Sequence, residues 1–338
     1  MSICIKQKQV VMKSIIYSAL FITLFSVQFA VANTTISQRK KQINKILSIT
    51  SERICNPQFL TSTEWFVFKN AISAPEVYKM TDREFASHFN VMAQSLPFSH
   101  YYLAYTGKDK QVSSLERPPF ALKEIDSTTV IIKLARWSAS AEAMKVVIQT
   151  IQDKEYRNLI IDLRNNRGGT LDAAVVLGQF LTQQKIDAGT YITKNWFLEN
   201  QEYPTIKDVQ SFPYLTDFTY NGFGRMLNQP AFRMVVPPHD RPIFSGKVLV
   251  LTNAFTASTN EPFVHIIKQQ ELGTIIGEPT NGAMLSGTYV KVSRKLKLFL
   301  PIADYITAEG NRLDRVGVQP DMLVDSKDAL TAALKLLE

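Results

Sequence analysis

Residues 247–269 read KVLVLTNAFTASTNEPFVHIIKQ, and the order of residue types in this stretch decides the fold. Lys247–Thr252 is short, apolar and β-branched, so it reads as a buried strand. Asn253–Ala257 is mostly small residues around Phe255, and from Ser258 to Gln269 the residues Phe263, Ile266 and Ile267 recur at helical intervals. Strand, sharp turn and helix in succession form the building unit of an α/β sheet, and Ser258 stands at the junction. A side chain there sits beside unpaired backbone N–H groups and the positive end of the helix dipole. That setting suits a nucleophile whose attack generates an oxyanion. The same letters have a plain structural reading, because Ser258-x-x-Glu261 is a capping box and most such serines only cap helices.

The alternation extends outward on both sides. Thr129–Leu134 (TVIIKL) suits a strand and Ala139–Gln152 a helix. Asn158–Asp162 (NLIID) reads as a buried strand with the helix Leu171–Leu181 after it, and Thr274–Gly277 (TIIG) follows the Ser258 helix. Strands alternating with helices predict an α/β sheet with parallel elements. Asn33–Leu115 reads differently, as a small helical region: Ile36–Ile49, Thr61–Ile72 and Thr81–Gln94 carry apolar residues at helical spacing, broken by Asn56-Pro57 and Ala74-Pro75. Arg117-Pro118-Pro119 reads as the linker between the two regions. Gln183–Phe244 is rich in aromatics, prolines and asparagines and reads as a long excursion, a lid or binding wall. Its Tyr191, Trp196, Phe197, Tyr203, Tyr214 and Phe218 equally suit a satellite core.

Residues 1–32 read as a secretory signal peptide. Lys6, Lys8 and Lys13 supply positive charge, Ile15–Ala32 is largely apolar, and Ala30-Val31-Ala32 offers a small-residue cleavage site. An exported chain, periplasmic or secreted, with no stable membrane insertion after signal removal is therefore expected. The formal charge of +8 includes those three lysines. No dense Lys/Arg block appears, so nucleic acid is not an expected partner. Cys4 lies in the signal, which leaves Cys55 without a partner for a disulfide. His88, His100, His239 and His265 show no metal-ligand spacing, so neither a metal nor a cofactor is expected.

A serine hydroxyl is a poor nucleophile near neutral pH and needs a base, an orienter for that base and oxyanion donors. Asp162-Leu163-Arg164-Asn165-Asn166-Arg167-Gly168-Gly169 follows one buried strand and precedes a helix. Its paired glycines let successive N–H groups converge on an anion, with the N–H of Thr259 as a further donor. A phosphate cradle is the alternative for such a turn, but the spacing fits neither the dinucleotide fingerprint nor the phosphate loop.

The runs NLIIDLRNNRGG, GKVLVLTNAFTASTNEPF, GTIIGEPTNG and RVGVQPDMLV occur in this order. Together they resemble the C-terminal (tail-specific) processing proteases, the tricorn core protease and the retinoid-binding repeats related to them, over roughly residues 85–330. The resemblance implies a crotonase-like ββα catalytic domain over residues 117–338, preceded by the helical region 33–116. It also implies a serine nucleophile at Ser258, placed by Thr256-Ala257-Ser258-Thr259-Asn260-Glu261, and oxyanion donors at Gly168, Gly169 and Thr259.

The branches of that family differ in the base. The processing proteases carry a lysine in a Thr-Phe-Gly-Lys-Gly-like turn, whereas here Pro279-Thr280-Asn281-Gly282-Ala283 puts Ala283 at that position, and Lys291 lies a strand further on. The tricorn-like branch uses a Ser-His pair and an acid. Phe98-Ser99-His100-Tyr101 and Asp314, three residues before Gly317-Val318-Gln319-Pro320-Asp321, match it. The resemblance thus implies His100 as general base with Ser99 and Asp314 as its orienting partners. Asp314 stands where the family leads one to expect a glutamate, with Glu309 as the fallback acid. An unperturbed imidazole would tie activity to a fall below pH ~6–7. Gly107–Ser127 is too short for the PDZ domain of the processing proteases, so their tail specificity is not inherited.

The functional expectation is an exported serine endopeptidase acting on peptide or unfolded protein. The alternative on the same scaffold is a binding protein for an apolar ligand or a peptide. Crotonase-type acyl-CoA chemistry is disfavoured by the export signal.

Overall fold

The structure is a computed structural model that describes residues 36–107 and 118–338; the signal read over residues 1–32 and Arg117 of the linker lie outside them. Two sheets organise the chain. The first has six strands in the order β11–β8–β7–β4–β3–β2, namely Met322–Leu323, Thr274–Gly277, Lys247–Thr252, Asn158–Asp162, Thr129–Leu134 and Phe120–Asp126. All neighbours are parallel except β2, which returns antiparallel on β3. The α/β expectation holds, and the strands read at 129–134, 158–162, 247–252 and 274–277 have the bounds given above.

These strands are apolar along their whole length because both sheet faces are covered. Ile131, Ile160, Leu249, Leu251 and Ile276 face α10 (Ala329–Lys335). Val130, Ile132, Leu159, Ile161, Val250 and Ile275 face the opposite way, toward α4 (Ala141–Gln152), α5 (Asp172–Leu181) and α9 (Asn260–Gln269). The period-two alternation assigns each residue its face.

The second sheet has five strands: β1 (Tyr102–Tyr105), β5 (Ile186–Thr193), β6 (Ala231–Val236), β9 (Ser286–Lys291) and β10 (Leu296–Ile306). The long β10 is its spine, pairing antiparallel with β1, β5 and β9. Leu296, Leu298 and Leu300 pack with the N-terminal helices, α1 (residues 36–53), α2 (Thr63–Ile72) and α3 (Asp82–Met92). A register shift between Pro301 and Ala303 follows. Beyond it Ala303 and Tyr305 join the central core.

Two expectations need correction. Residues 183–244 are more than an excursion over the sheet, because β5 and β6 within them are integral strands of the second sheet. Three short helices lie between those strands: α6 (Lys194–Glu199), α7 (Ile206–Ser211) and α8 (Tyr220–Met226). Their aromatics divide. Phe197, Trp196 and Tyr203 form a satellite cluster, whereas Tyr191 belongs to the central core. The helical region also contributes a strand, β1, which the helical periodicity did not announce. Among the described residues no helix is long and apolar enough to cross a membrane.

Candidate active site

Strands β4 and β7 run parallel in register, Asp162 beside Leu251, so their C-terminal ends release two turns side by side. Ligands in open α/β sheets gather at such carboxyl ends. The first turn carries Gly168 and Gly169, the second Ser258. Ala257 N–H donates to Asn166 O at 3.0 Å, and Thr259 Oγ1 donates to Gly169 O at 2.8 Å. The buried Asn260 amide donates to Asn166 O at 2.9 Å and Ala257 O at 2.7 Å, and its Oδ1 accepts from Trp137 Nε1 at 2.7 Å. These bonds weld the two turns together. Asp162 and Arg164 pin the outer edge, since the Arg164 guanidinium binds both Asp162 oxygens and Ser326 O.

The turns approach so closely that glycine is required. A Cβ on Gly168 (φ +94°) would lie 2.6 Å from Ser258 Cβ, and one on Gly169 (φ +150°) would lie 2.0 Å from Trp137 O. Both facts explain the glycine pair without appeal to a ligand.

Ser258 does not cap the helix. Helix α9 starts at Asn260 with no side-chain cap bond, and Glu261 N–H bonds the Ser258 carbonyl at 2.7 Å, not its hydroxyl. Ser258 instead adopts φ +59°, in the left-handed region that non-glycine residues avoid. Six non-glycine residues among those described have positive φ, and four of them, His100, Asn165, Ser258 and Arg315, surround this site. Such strain persists only where surroundings enforce it. Glu261 supplies the enforcement: its carboxyl accepts from Ala283 N (2.6 Å), Thr280 Oγ1 (3.0 Å), Gly282 N (3.1 Å) and Ser258 N (3.3 Å). Burial pushes the Glu261 carboxyl up to about 7, and those donors pull against the rise. Sequence reading gives Glu261 as half of a capping box and as the last residue of the pattern that places Ser258; its four-way role depends on the 280–283 turn, which arrives from another strand.

That turn is the one in which the processing branch carries lysine. Ser258 N–H donates to Ala283 O at 3.0 Å, so position 283 does lie against Ser258, with a methyl group and no amine. Lys291 is exposed on β9.

The Ser99-His100 pair reaches the site from the second sheet. Residues 98–101 are clamped by the helical region: Phe98 stacks on Phe59 with ring centroids 4.8 Å apart, and the Tyr101 ring meets Phe68, Phe89 and Trp65. Tyr101 OH bonds Thr50 Oγ1 of α1 at 2.7 Å. Each such buried aromatic contributes about 2–3 kcal/mol, so the clamp is firm.

Ser99 Oγ donates to Asp314 Oδ1 at 2.5 Å and lies 2.8 Å from His100 Nδ1. A hydroxyl has one proton, and Asp314 takes it. Nδ1 must therefore be the protonated ring nitrogen, donating to Ser99 Oγ, which leaves Nε2 with a free lone pair. Asp314 also accepts from Ser99 N (3.1 Å), Met284 N (2.9 Å) and Arg312 (3.3 Å). Its reach is sufficient although its side chain is one methylene shorter than that of glutamate. Glu309, the fallback acid, is engaged elsewhere, 3.1 Å from His265 Nε2. Burial is the main force on His100, outweighing Asp314 and aided by Arg315, and it lowers the imidazole to about 4. The ring is therefore neutral at physiological pH, and the expectation of titration near 6–7 is corrected downward.

The three expected oxyanion donors differ. Gly168 N–H donates to Asn166 Oδ1 at 2.9 Å, and Gly168 is not among the residues that line the cavity. Among the described residues the N–H groups of Gly169 and Thr259 make no hydrogen bond, and both residues line the cavity beside Ser258. His88 and His239 bond backbone carbonyls away from the site.

Ser258 and His100 both line one cavity of about 670 Å³, walled by Phe223 and Leu227 on the α8 side and by Met284 and Phe299 on the other. No hydrogen bond joins the two side chains; such contacts are often loose before substrate binds and tighten in the complex. Among the described residues no cluster of three or more His, Cys, Asp or Glu side chains is arranged to hold a metal ion.

The family model described as Peptidase family S41 matches residues 128–324. The carboxyl-terminal-processing protease of Synechocystis is 25% identical over 195 residues, 57% of this chain and 37% of its own length. The chloroplastic C-terminal processing peptidase of Tetradesmus obliquus is 25% identical over 215 residues, 63% and 38% respectively. The chain thus spans less than two-fifths of these curated relatives. The solved structure of a candidate peptidase from Parabacteroides merdae superposes with a TM-score of 0.59 at 15% identity, over 88% of this chain and 96% of that one.

Proposed function

Because the chain belongs to peptidase family S41, we propose that it is an exported serine endopeptidase cleaving peptide or unfolded protein through an acyl-enzyme. In this reading residues 1–32 are the signal, residues 33–116 supply the base and residues 117–338 supply the nucleophile. The observation that carries it is the hydrogen-bonded line from Asp314 through Ser99 to His100 Nδ1, which leaves Nε2 bare in the cavity that Ser258 lines.

The reaction follows from that proton arrangement. Neutral His100 Nε2 takes the Ser258 proton as Oγ bonds the scissile carbonyl carbon. The carbonyl oxygen becomes an oxyanion, met by the N–H groups of Gly169 and Thr259. His100 then protonates the leaving amine as the C–N bond breaks. Water, deprotonated by the same nitrogen, releases the ester, and the proton returns to Ser258. Asp314 and Ser99 hold the tautomer and offset the transient imidazolium charge.

The aromatic cavity walls favour a second reading, a binding protein for an apolar ligand. Treating the purified mature chain with a fluorophosphonate probe separates the two. Stoichiometric labelling of the wild type, abolished in Ser258→Ala, is expected of the peptidase; labelling that persists in Ser258→Ala, or none in either, supports the binder.

A further inference from the structure

We propose that Arg167 sets substrate choice by binding a carboxylate on the peptide, one or two residues from the scissile bond, while an apolar side chain of that peptide fills the cavity. The inference deepens the peptidase reading and rests on it.

Arg167 lines the cavity from the turn that also carries Gly169. Among the described residues it is the one side chain there with a full charge at neutral pH: His100 is neutral, and no described Asp, Glu or Lys lines the cavity. The contrast with Arg164, three residues back, is informative. Arg164 binds both oxygens of Asp162 and the Ser326 carbonyl. Arg167 is exposed, and among the described residues its guanidinium has neither a hydrogen bond nor a carboxylate partner. It lies 5.5 Å over the Phe255 ring, and its charge acts on Tyr102, whose hydroxyl is 2.8 Å from that of Tyr289.

Stacking uses the guanidinium face and leaves the planar fork of N–H donors free at its edge. That fork matches a carboxylate in two parallel bonds, a geometry an ammonium cannot reproduce. Among the described residues a peptide entering the cleft therefore meets a largely apolar lining, a single cation and no anion. An acidic group gains a partner, whereas a Lys or Arg meets only repulsion. The carboxylate has two possible sources, a glutamate or aspartate side chain or the free C-terminus of a short peptide.

The test uses the purified full chain and matched apolar peptides. One pair differs only in a free or amidated C-terminus; the others differ by Glu or Gln at each position flanking the cleaved bond. The wild type is expected to favour the carboxylate member of one pair by about tenfold in kcat/KM, mainly through KM, with the preference shrinking as salt rises. The pair that responds names the source. In Arg167→Gln the carboxylate-to-neutral ratio should fall to near one, and in Arg167→Glu it should invert. A wild-type ratio near one in every pair, or a preference unchanged in Arg167→Gln, overturns the proposal.

Competition supplies a readout independent of turnover. The carboxylate peptide should slow fluorophosphonate labelling of Ser258 more than its neutral twin in the wild type but not in Arg167→Gln; equal protection overturns the proposal even if no peptide is cut. Loss of all labelling would instead remove the peptidase reading, and this inference with it.

Discussion

Ser258 and His100 meet at one cavity from unlike supports. The Ser258 elbow grows from the ends of adjacent parallel strands, and its partners come from the neighbouring turns at 166–169 and 280–283 and from its own helix through Glu261. His100 stands at the entrance to a short strand of the other sheet, oriented by an acid 215 positions away from Ser99 and clamped by a separate aromatic core. The proposed nucleophile is thus set by backbone geometry, and the proposed base by side-chain contacts that several remote segments must deliver together. The comparison teaches that damage should be local and severe on the first side, and graded along a chain of contacts on the second.

Removing the base tests that contrast most strongly. His100→Ala should lower kcat by about 10³–10⁵ while leaving peptide binding near normal. In the wild type, activity should stay flat down to about pH 5 and fall as pH drops through about 4, because His100 is protonated there and loses its lone pair. A fall centred at pH 6–7 would show that the imidazole is not desolvated in the working enzyme. The sign of the stability effect agrees. An unfolded histidine takes up its proton near 6.5, so the folded state loses stability as pH drops from there toward 4.

The next effect belongs to the nucleophile side. Glu261→Ala leaves the Ala283 and Gly282 N–H groups and the Thr280 hydroxyl without their acceptor and takes from Ser258 N–H the weaker of its two. It should cost about 2–4 kcal/mol of stability and about 10²-fold in the rate of Ser258 labelling, read by denaturant unfolding and by probe kinetics. Labelling at the wild-type rate would mean that the elbow holds its strained φ without Glu261.

Asp314→Asn keeps the volume but offers Ser99 a weaker acceptor and weakens the hold on the His100 tautomer. A drop of about 10²-fold in kcat with little change in KM is expected. Smallest is Tyr203→Phe. Tyr203 OH donates to Asp304 at 2.6 Å, and Arg312 bridges Asp304 and Asp314, so the 183–244 segment connects to His100 through four side chains, Asp304, Arg312, Asp314 and Ser99. A stability loss of about 1 kcal/mol and a change in kcat within threefold are expected. A loss as large as that of Asp314→Asn would make this segment a controlling element and not a wall.

The nucleophile half was legible in the sequence because its physics is local. Strands β4 and β7 announce themselves as β-branched runs, the glycine pair reports a close approach, and Ser258 follows at a fixed offset. Ser99, His100 and Asp314 were reached only through the resemblance, since periodicity carries no signal for three polar residues dispersed over 215 positions. Strands β5, β6 and β10 were missed for a related reason. β10 changes the core it faces partway along its length, which breaks the simple period-two pattern after Pro301.

By itself the sequence determined the alternating α/β sheet, the turn that exposes Ser258 and the absence of a lysine at position 283, because these depend on the order of neighbouring residues. Tertiary structure alone decided which glycine N–H stays free, that Asp314 rather than Glu309 bonds the Ser99-His100 pair, and that burial holds His100 neutral well below its ordinary range. Those outcomes turn on the competition for each donor and on exclusion of water, both of which exist only once distant segments have packed.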